Sequence, residues 1–240
     1  MLLPVIKEVI SISLSSVPCH VALAIQFALD GRTGLFYDSG TMIRCYRDYL
    51  TYLEADRLAL GHKRWTLKAF LLDDVWRFER CMRRLEYLTN CHRVSLRRVW
   101  AWWRYRRIGR RLGFLIPINV FGPGLSIAHR GTIVVSDAAR IGANCRLHVC
   151  VNIGTKAGYT GAAPQIGANC YIAPGAKIFG PITIGDNVVI GANAVVNKSF
   201  PKGNLTIGGI PARQISTKTS LDLGSHGCHP ASISMPARTP

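Results

Sequence analysis

Between residues 114 and 215 the only imidazoles are His129 and His148. A side chain of that type is ordinarily half-protonated near pH ~6.5, so at pH 7 it is largely neutral and can take the proton of a hydroxyl attacking an activated carbonyl. A histidine held in a structural contact is the competing role for each. Position singles out His129: Arg130 and Gly131 interrupt the regular spacing between Ile127 and Val135, and such a break lets a side chain leave the wall it would otherwise line. Carboxylates that could orient an imidazole are scarce, because Asp137 and Asp186 are the only two from Gly113 to Arg213. The partner must therefore be Asp137, a backbone carbonyl, or an acid of the preceding segment. Asp56, in the run EADR, is the candidate there, with a surface salt bridge as its other reading. A zinc hydratase would need three histidine ligands and an open fourth position, and two histidines do not supply them. The 12-residue run GTKAGYTGAAPQ, from Gly154 to Gln165, leaves the surrounding pattern and is a candidate wall for such a site. Its glycines lack the fixed spacing of a phosphate loop.

The element that must position these residues is a repeat. A valine, leucine or isoleucine returns every sixth place at Val135, Ile141, Leu147 and Ile153, and again at Ile166, Ile172, Ile178, Ile184, Ile190 and Val196. Four places after them come Ala139, Cys145, Val151, Cys170, Ala176, Ile182, Val188 and Ala194. A helix would scatter this stripe over several faces, and a plain strand repeats every two residues. A solenoid of short strands accounts for it, with six residues to a side, three sides to a coil and glycines such as Gly142, Gly167, Gly185 and Gly191 at the corners. Residues 18 apart then stack at the strand spacing of about 4.8 Å and bury an aliphatic ladder. His148 follows the inward Leu147 and is expected to point outward about one coil from His129, either lining the same cleft or standing exposed.

Ahead of the solenoid, residues 42–113 change to helical periodicity, with Tyr46, Tyr49, Leu50 and Leu53 in one stripe and Val75, Phe78, Met82, Leu85 and Leu88 in another. Gly61, His62 and Lys63 read as a connection, and Asp73 and Asp74 as the first turn of the next helix. The run RRVWAWWRYRRIGRR, Arg97 to Arg111, reads as a basic helix packing its aromatic side on the solenoid. Stacking on nucleic-acid bases is the other reading, but no nucleic-acid-binding motif accompanies it. Lysine and arginine number 30 against 13 acids, a formal charge of +17 over 240 residues, which calls for an anionic partner. The eight cysteines show no metal or scaffold spacing and read as buried thiols of a reducing compartment. Residues 1–41 read as a poorly ordered extension upstream of Met42, a candidate natural start. Their apolar run from Val17 to Leu29 is too short to span a bilayer. The tail, residues 216–240, is expected to be disordered, and His226, Cys228 and His229 lack a second ligand pair for a metal.

The stretch GLSIAHRGTIVVSDAARIG, the NIG of Asn152 to Gly154, and the closing IGANAVVNKSF and GGIPAR resemble the hexapeptide-repeat acyltransferases, most closely the serine O-acetyltransferase family. The resemblance runs from about Met42 to Ile215. YLEADRLALG and WRFERCMRRLEYL resemble the short helical domain of compact members often associated with surface-polysaccharide genes. It implies a mainly β fold, with a small α-helical domain (42–113) followed by a left-handed parallel β-helix (114–215). It also implies transfer of acetyl from acetyl-CoA to the L-serine hydroxyl in a cytoplasmic homotrimer, without metal, nucleic acid or membrane span.

In the family, the histidine at the position of His129 is the general base. Asp56 sits where the family has an acidic substrate-binding residue, and His148 is a further candidate of the same cleft. By motif match, Ala192, Asn197, Lys198 and Arg213 take the cofactor-binding places, where cations suit the polyanionic coenzyme. Two departures bear on the acceptor. Serine-specific members usually carry an aspartate just before the catalytic histidine and a second histidine before the proline of the protruding loop, and those places hold Ala128 and Ala163. A sugar hydroxyl of a surface polysaccharide or its precursor is therefore the alternative acceptor.

Overall fold

The computed structural model describes residues 42–158 and 161–224. The extension 1–41 and the histidines and cysteine of the tail lie outside the described residues. Four helices come first: α1 (Tyr46–Ala59), α2 (Leu67–Leu72), α3 (Asp74–Cys91) and α4 (Leu96–Leu112). Asp73 caps α3 by accepting from the Trp76 N–H at 2.9 Å, satisfying a donor that the helix itself leaves open. Gly113, at φ 81°, ends α4 in the left-handed conformation that glycine adopts without penalty.

Short strands follow in chain order: β1 (Phe114–Leu115), β2 (Ser126–Ile127), β3 (Ile133–Val135), β4 (Arg140–Ile141), β5 (Arg146–Leu147), β6 (Asn152–Gly154) and β7 (Gln165–Ile166). After them come β8 (Tyr171–Ile172), β9 (Lys177–Phe179), β10 (Thr183–Ile184), β11 (Val189–Ile190), β12 (Val195–Val196), β13 (Thr206–Gly208) and β14 (Arg213–Ser216). They form three faces, ordered β1-β3-β6-β9-β12, β4-β7-β10 and β2-β5-β8-β11-β13-β14. Each face gains one strand per coil. The pairing is parallel except for β14, which runs antiparallel to β13.

Register follows the hexads. Gln165 lies opposite Thr183, Tyr171 opposite Val189 and Lys177 opposite Val195, each 18 residues apart. Across the glycine-rich excursion the step becomes 25, with Arg146 opposite Tyr171 and Asn152 opposite Lys177. Seven extra residues thus leave the wall and return without shifting a single inward side chain. The ten aliphatic positions are at most 4% exposed, and Cys145 and Cys170 are buried in the small slots.

The corners divide their work between two residue types. A Cβ on Gly142 would sit 2.6 Å from the Ala168 nitrogen, so close approach of successive coils requires glycine there. The left-handed turn itself is made by asparagines: Asn144, Asn169, Asn187 and Asn204 have φ of 53–59°. Their side chains form a ladder, each amide donating to the next residue's Oδ1 at 3.1, 2.9 and 2.8 Å.

The helical domain is seated on the first coil. Phe78 and Met82 of α3 belong to the same core as Leu112, Phe114, Val120 and the aliphatic ladder. Helix α4 departs from expectation. Its buried stripe is Ala101, Gly109 and Leu112, because the small residues let the backbone approach: a Cβ on Gly109 would lie 3.0 Å from the Phe114 oxygen. The tryptophans therefore fall outside the stripe, and Trp100, Trp102 and Trp103 remain 47–50% exposed instead of packing on the solenoid.

Disorder after Ile215 does not hold for residues 216–224. Ser220–Leu223 form a 3₁₀ turn with a Thr219–Asp222 capping box. Ser220 is buried, its hydroxyl donating to the Asn169 oxygen. No helix among the described residues is long and apolar enough to cross a membrane.

Candidate active site

The histidines meet at one corner of the coil. His129 follows β2 and His148 follows β5, both where the chain turns from the six-stranded face to the five-stranded face. Their ring centroids are 6.1 Å apart. His129 is exposed, as the break in register predicts. Exposure of His148, one of the two expected outcomes, does not occur: only 9% of it reaches solvent, with His129 on one side and the Tyr171 ring 4.9 Å away on the other. Burial pushes its imidazole down to about 4, and the charges of Arg146 and of His129 add to the shift. It is thus neutral at pH 7, and its Nε2 is buried without a hydrogen-bond partner. Arg146 is held beside it by donating to the Ser126 Oγ at 2.8 Å.

Asp56 is fully buried and fully engaged. Its Oδ2 accepts from the Arg83 Nε at 2.7 Å, and its Oδ1 accepts from the backbone N–H groups of Gly124 and Leu125 at 2.8 and 2.9 Å. Burial raises its carboxyl above the ordinary range, against Arg83 and the two N–H groups, which lower it. Neither the acceptor-side place nor the surface salt bridge describes it. It holds the loop that enters β2, four and five residues before His129, and among the described residues it has no hydrogen bond to either imidazole.

The residue that organises this junction was not singled out from the sequence. Arg83 bonds Asp56, donates to Glu86 at 3.0 Å, and donates to the Phe121 and Gly122 carbonyls at 2.9 and 2.7 Å. Burial alone would lower its pKa, but the carboxylates of Asp56 and Glu86 outweigh that and hold it protonated above its usual range. Glu86 in turn accepts from the Asn119 N–H at 2.8 Å. Glu79, buried one turn before Arg83, accepts from the Ile127 N–H at 3.3 Å. Its other oxygen has no partner, and burial raises its pKa well above the carboxylate range. The available signal was spacing: Glu79, Arg83 and Glu86 share one face of α3 with the apolar Met82 and Phe78.

A hollow of about 440 Å³ opens beside Arg130, the neighbour of His129, between α2 and the start of α3. His62, Lys68, Asp73, Asp74 and Arg130 bring polar groups to it. His62 Nε2 is 2.9 Å from Asp73 Oδ2, and Arg130 reaches Asp74 at 3.5 Å. Asp137, the other candidate partner for the histidines, is exposed in the turn between β3 and β4, at a different corner.

The positions matched to cofactor binding divide between two corners. Ala192 is exposed after β11, at the corner that carries both histidines. Asn197 and Lys198 are exposed after β12, at the next corner, the one from which the glycine-rich excursion also departs after β6. Arg213 opens β14, exposed and opposite Gly208. Within one chain, then, the histidines face neither the excursion nor Lys198. Among the described residues, no group of three or more His, Cys, Asp or Glu is placed to hold a metal ion.

Residues 163–198 match the family "Bacterial transferase hexapeptide (six repeats)". The match covers the later coils of the solenoid. The chain's similarity extends to serine acetyltransferases. That of Staphylococcus xylosus is 43% identical over 91 residues, 38% of this chain and 42% of the relative. The crystal structure of serine acetyltransferase from Brucella abortus strain S19 superposes with a TM-score of 0.60 at 25% identity, covering 73% of this chain and 72% of that one. A serine acetyltransferase solved in complex with CoA matches with a TM-score of 0.57 at 25% identity, over 71% of each chain. The chain spans about half the length of the curated relatives it matches. The hexapeptide repeat and these folds make the coil a left-handed parallel β-helix carrying an N-terminal helical domain.

Proposed function

We propose that this hexapeptide-repeat chain is an acetyl-CoA-dependent O-acetyltransferase whose acceptor is the L-serine hydroxyl. The observation that carries the reading is the exposed His129 at the register break, paired at one corner with a neutral His148, on a solenoid similar to serine acetyltransferases, one of them solved with CoA. In this reading the His129 imidazole takes the hydroxyl proton as the oxygen attacks the thioester carbonyl. The tetrahedral intermediate then collapses with CoA thiolate leaving, and backbone N–H groups stabilise its oxyanion. His148, neutral and packed at a tilt against Tyr171, holds the His129 ring in place and lines the acceptor side. The hollow beside Arg130 receives the acceptor. Asp56 acts as a positioning residue, through the backbone of Gly124 and Leu125.

Ala192, Asn197, Lys198 and Arg213 bind the coenzyme. Gly208, opposite Arg213, stands four strands from β2 on the same face, about 19 Å at the ordinary strand spacing. That separation suits an extended pantetheine arm with its phosphates at the last coil and its thioester near His129. A homotrimer accounts for the split between corners. Three-sided coils around a three-fold axis bring the excursion and Lys198 of one copy toward the histidine corner of the next. Eight cysteines without scaffold spacing suit a reducing, cytoplasmic setting.

A sugar hydroxyl is the second reading. It is favoured by Ala163, which is buried and offers no polar group to an amino-acid acceptor, and by Ala128 in the place of an aspartate. The deciding experiment measures CoA release with L-serine, homoserine and a panel of sugars. Turnover with serine alone supports the first reading, turnover with a sugar alone moves the acceptor, and no acetyl-CoA binding at all rejects both.

A further inference from the structure

The outward side of α4 differs in composition from the rest of the surface. Leu96 is 88% exposed, Val99 56%, Trp100 and Trp102 50% each, and Trp103 47%. Leu96, Val99 and Trp103 recur at three and four residues and share one side of the helix. From His92 to Leu112 the sequence holds eight arginines and no acid. Arg104, Arg106 and Arg107 place their guanidinium carbons 4.6, 5.3 and 5.2 Å from the ring centroids of Trp100, Trp102 and Trp103. Each of these rings is half in water and accompanied by a cation of its own helix.

We propose that this face of α4 docks on an anionic lipid surface, with the tryptophans at headgroup level and the arginines on the lipid phosphates. Tryptophan is amphipathic and settles at the boundary between apolar and wet phases, and long basic side chains reach past it to the charged layer. A juxtaposed anionic leaflet attracts each Lys or Arg by a useful increment, so a helix of this charge gathers many. The binding is peripheral, since no described helix can span a bilayer.

A second copy is a poorer occupant. Two α4 faces brought together would oppose arginines with no carboxylate between them. The chain has only 13 acids to offer elsewhere, and Asp56, Glu79 and Glu86 are buried. Nucleic acid would satisfy the arginines, but a convex helix would then leave Leu96 and Val99 in water among phosphates.

The test is co-sedimentation of the full chain with vesicles of phosphatidylcholine alone and of phosphatidylcholine mixed with phosphatidylglycerol. The chain should sediment with the mixed vesicles only, and salt at about 1 M, where screening acts over about 3 Å, should release it. The pair Arg106→Gln/Arg107→Gln should weaken partitioning by about 10- to 30-fold. Trp103→Ser should weaken it with an unchanged melting curve, as both sites are exposed. Equal binding to the neutral vesicles, no binding to the mixed ones, or binding undiminished in both variants would overturn the proposal. So would variant-sensitive binding to a single-stranded oligonucleotide without vesicle binding, or self-association that Trp103→Ser abolishes. Acetyl transfer assayed on the same variants should stay at the parent rate, so the lipid proposal and the enzymatic reading fail separately.

Discussion

The solenoid and the helical domain solve opposite problems. Along the solenoid the inward positions are aliphatic or small and nearly every polar group is spent on the neighbouring coil, so stability is a sum of nearly equal steps between adjacent repeats. The helical domain has a smaller apolar core, and at its junction with the first coil it buries a charged cluster: Arg83 with Asp56 and Glu86, and beside them Glu79, whose carboxyl burial pushes well above its usual range. Buried ion pairs give little net stability, but they are severe about geometry, because removing one member strands the others. The charged cluster therefore sits where geometry matters most, under residues 119–127, the segment that delivers His129 to its corner. Repetition builds the wall, and a unique polar network sets where His129 leaves it.

Variants that separate the two regions should differ in kind. The largest effect is expected at the corner: His129→Ala should lower kcat by roughly 10²- to 10⁴-fold with acetyl-CoA affinity and melting temperature nearly unchanged, since the side chain is exposed. His148→Ala should act first on the acceptor KM. Parent-rate turnover by His129→Ala would make His148 the next candidate base.

Arg83→Met should cost about 3–5 kcal/mol in urea unfolding by leaving two buried carboxylates uncompensated. Converting Asp56 and Glu86 to their amides in the same chain should restore much of that loss. If the single variant is as stable as the parent, the junction is not held by this cluster. In the solenoid, Ile178→Ala should cost about 2–5 kcal/mol by opening a cavity in the ladder, whereas Trp102→Ala, on the open face of α4, should stay within about 0.5 kcal/mol.

Acid sharpens the contrast. The His148 imidazole titrates at about 4 in the fold and near ~6.5 when unfolded, so between those values the unfolded chain binds more protons. Its contribution is fully present above pH ~6.5 and is lost as pH falls toward 4, by at most about 3 kcal/mol. In His148→Phe the unfolding midpoint should fall less steeply over that window, and an identical pH profile would contradict the assignment. The smallest effects are expected at the cations proposed to bind the coenzyme. Lys198→Ala and Arg213→Ala should each raise the KM for acetyl-CoA a few-fold, more at low than at high salt. An unchanged KM in both would place the coenzyme elsewhere.

How far the sequence could be read follows from the same contrast. The hexads were legible because each inward residue has the same task, and ten such residues announce one geometry in register. Asparagine at the corners was legible only in part: the glycines marked close approach, but nothing in the hexad period assigns the left-handed turn to Asn144, Asn169 and Asn187. His129 could be located from a break in the pattern. The burial of His148 could not, since it depends on Tyr171 of the next coil, which the excursion sets opposite Arg146 at a step of 25 rather than 18. Arg83 escaped because its partners lie 3, 27, 38 and 39 residues away, on elements whose packing has no period. On α4 the large aromatics dominate the sequence, but the stripe that packs is set by Ala101 and Gly109, where the smallest side chains admit a neighbouring backbone.

A stack of identical parallel rungs has no intrinsic reason to stop, and an exposed last rung is a template on which another chain can add strands. Here both ends are closed by dissimilar structure. Phe78 and Met82 seat the helical domain against the first coil, and β14 reverses direction on β13 before the 3₁₀ turn tucks Ser220 against Asn169. The reversal gives an incoming copy an antiparallel edge out of step with its own parallel first rung. Chains with β14 removed should therefore be prone to joining end to end into fibres, a hazard that the intact fold blocks by ending its repeat with something that cannot be repeated.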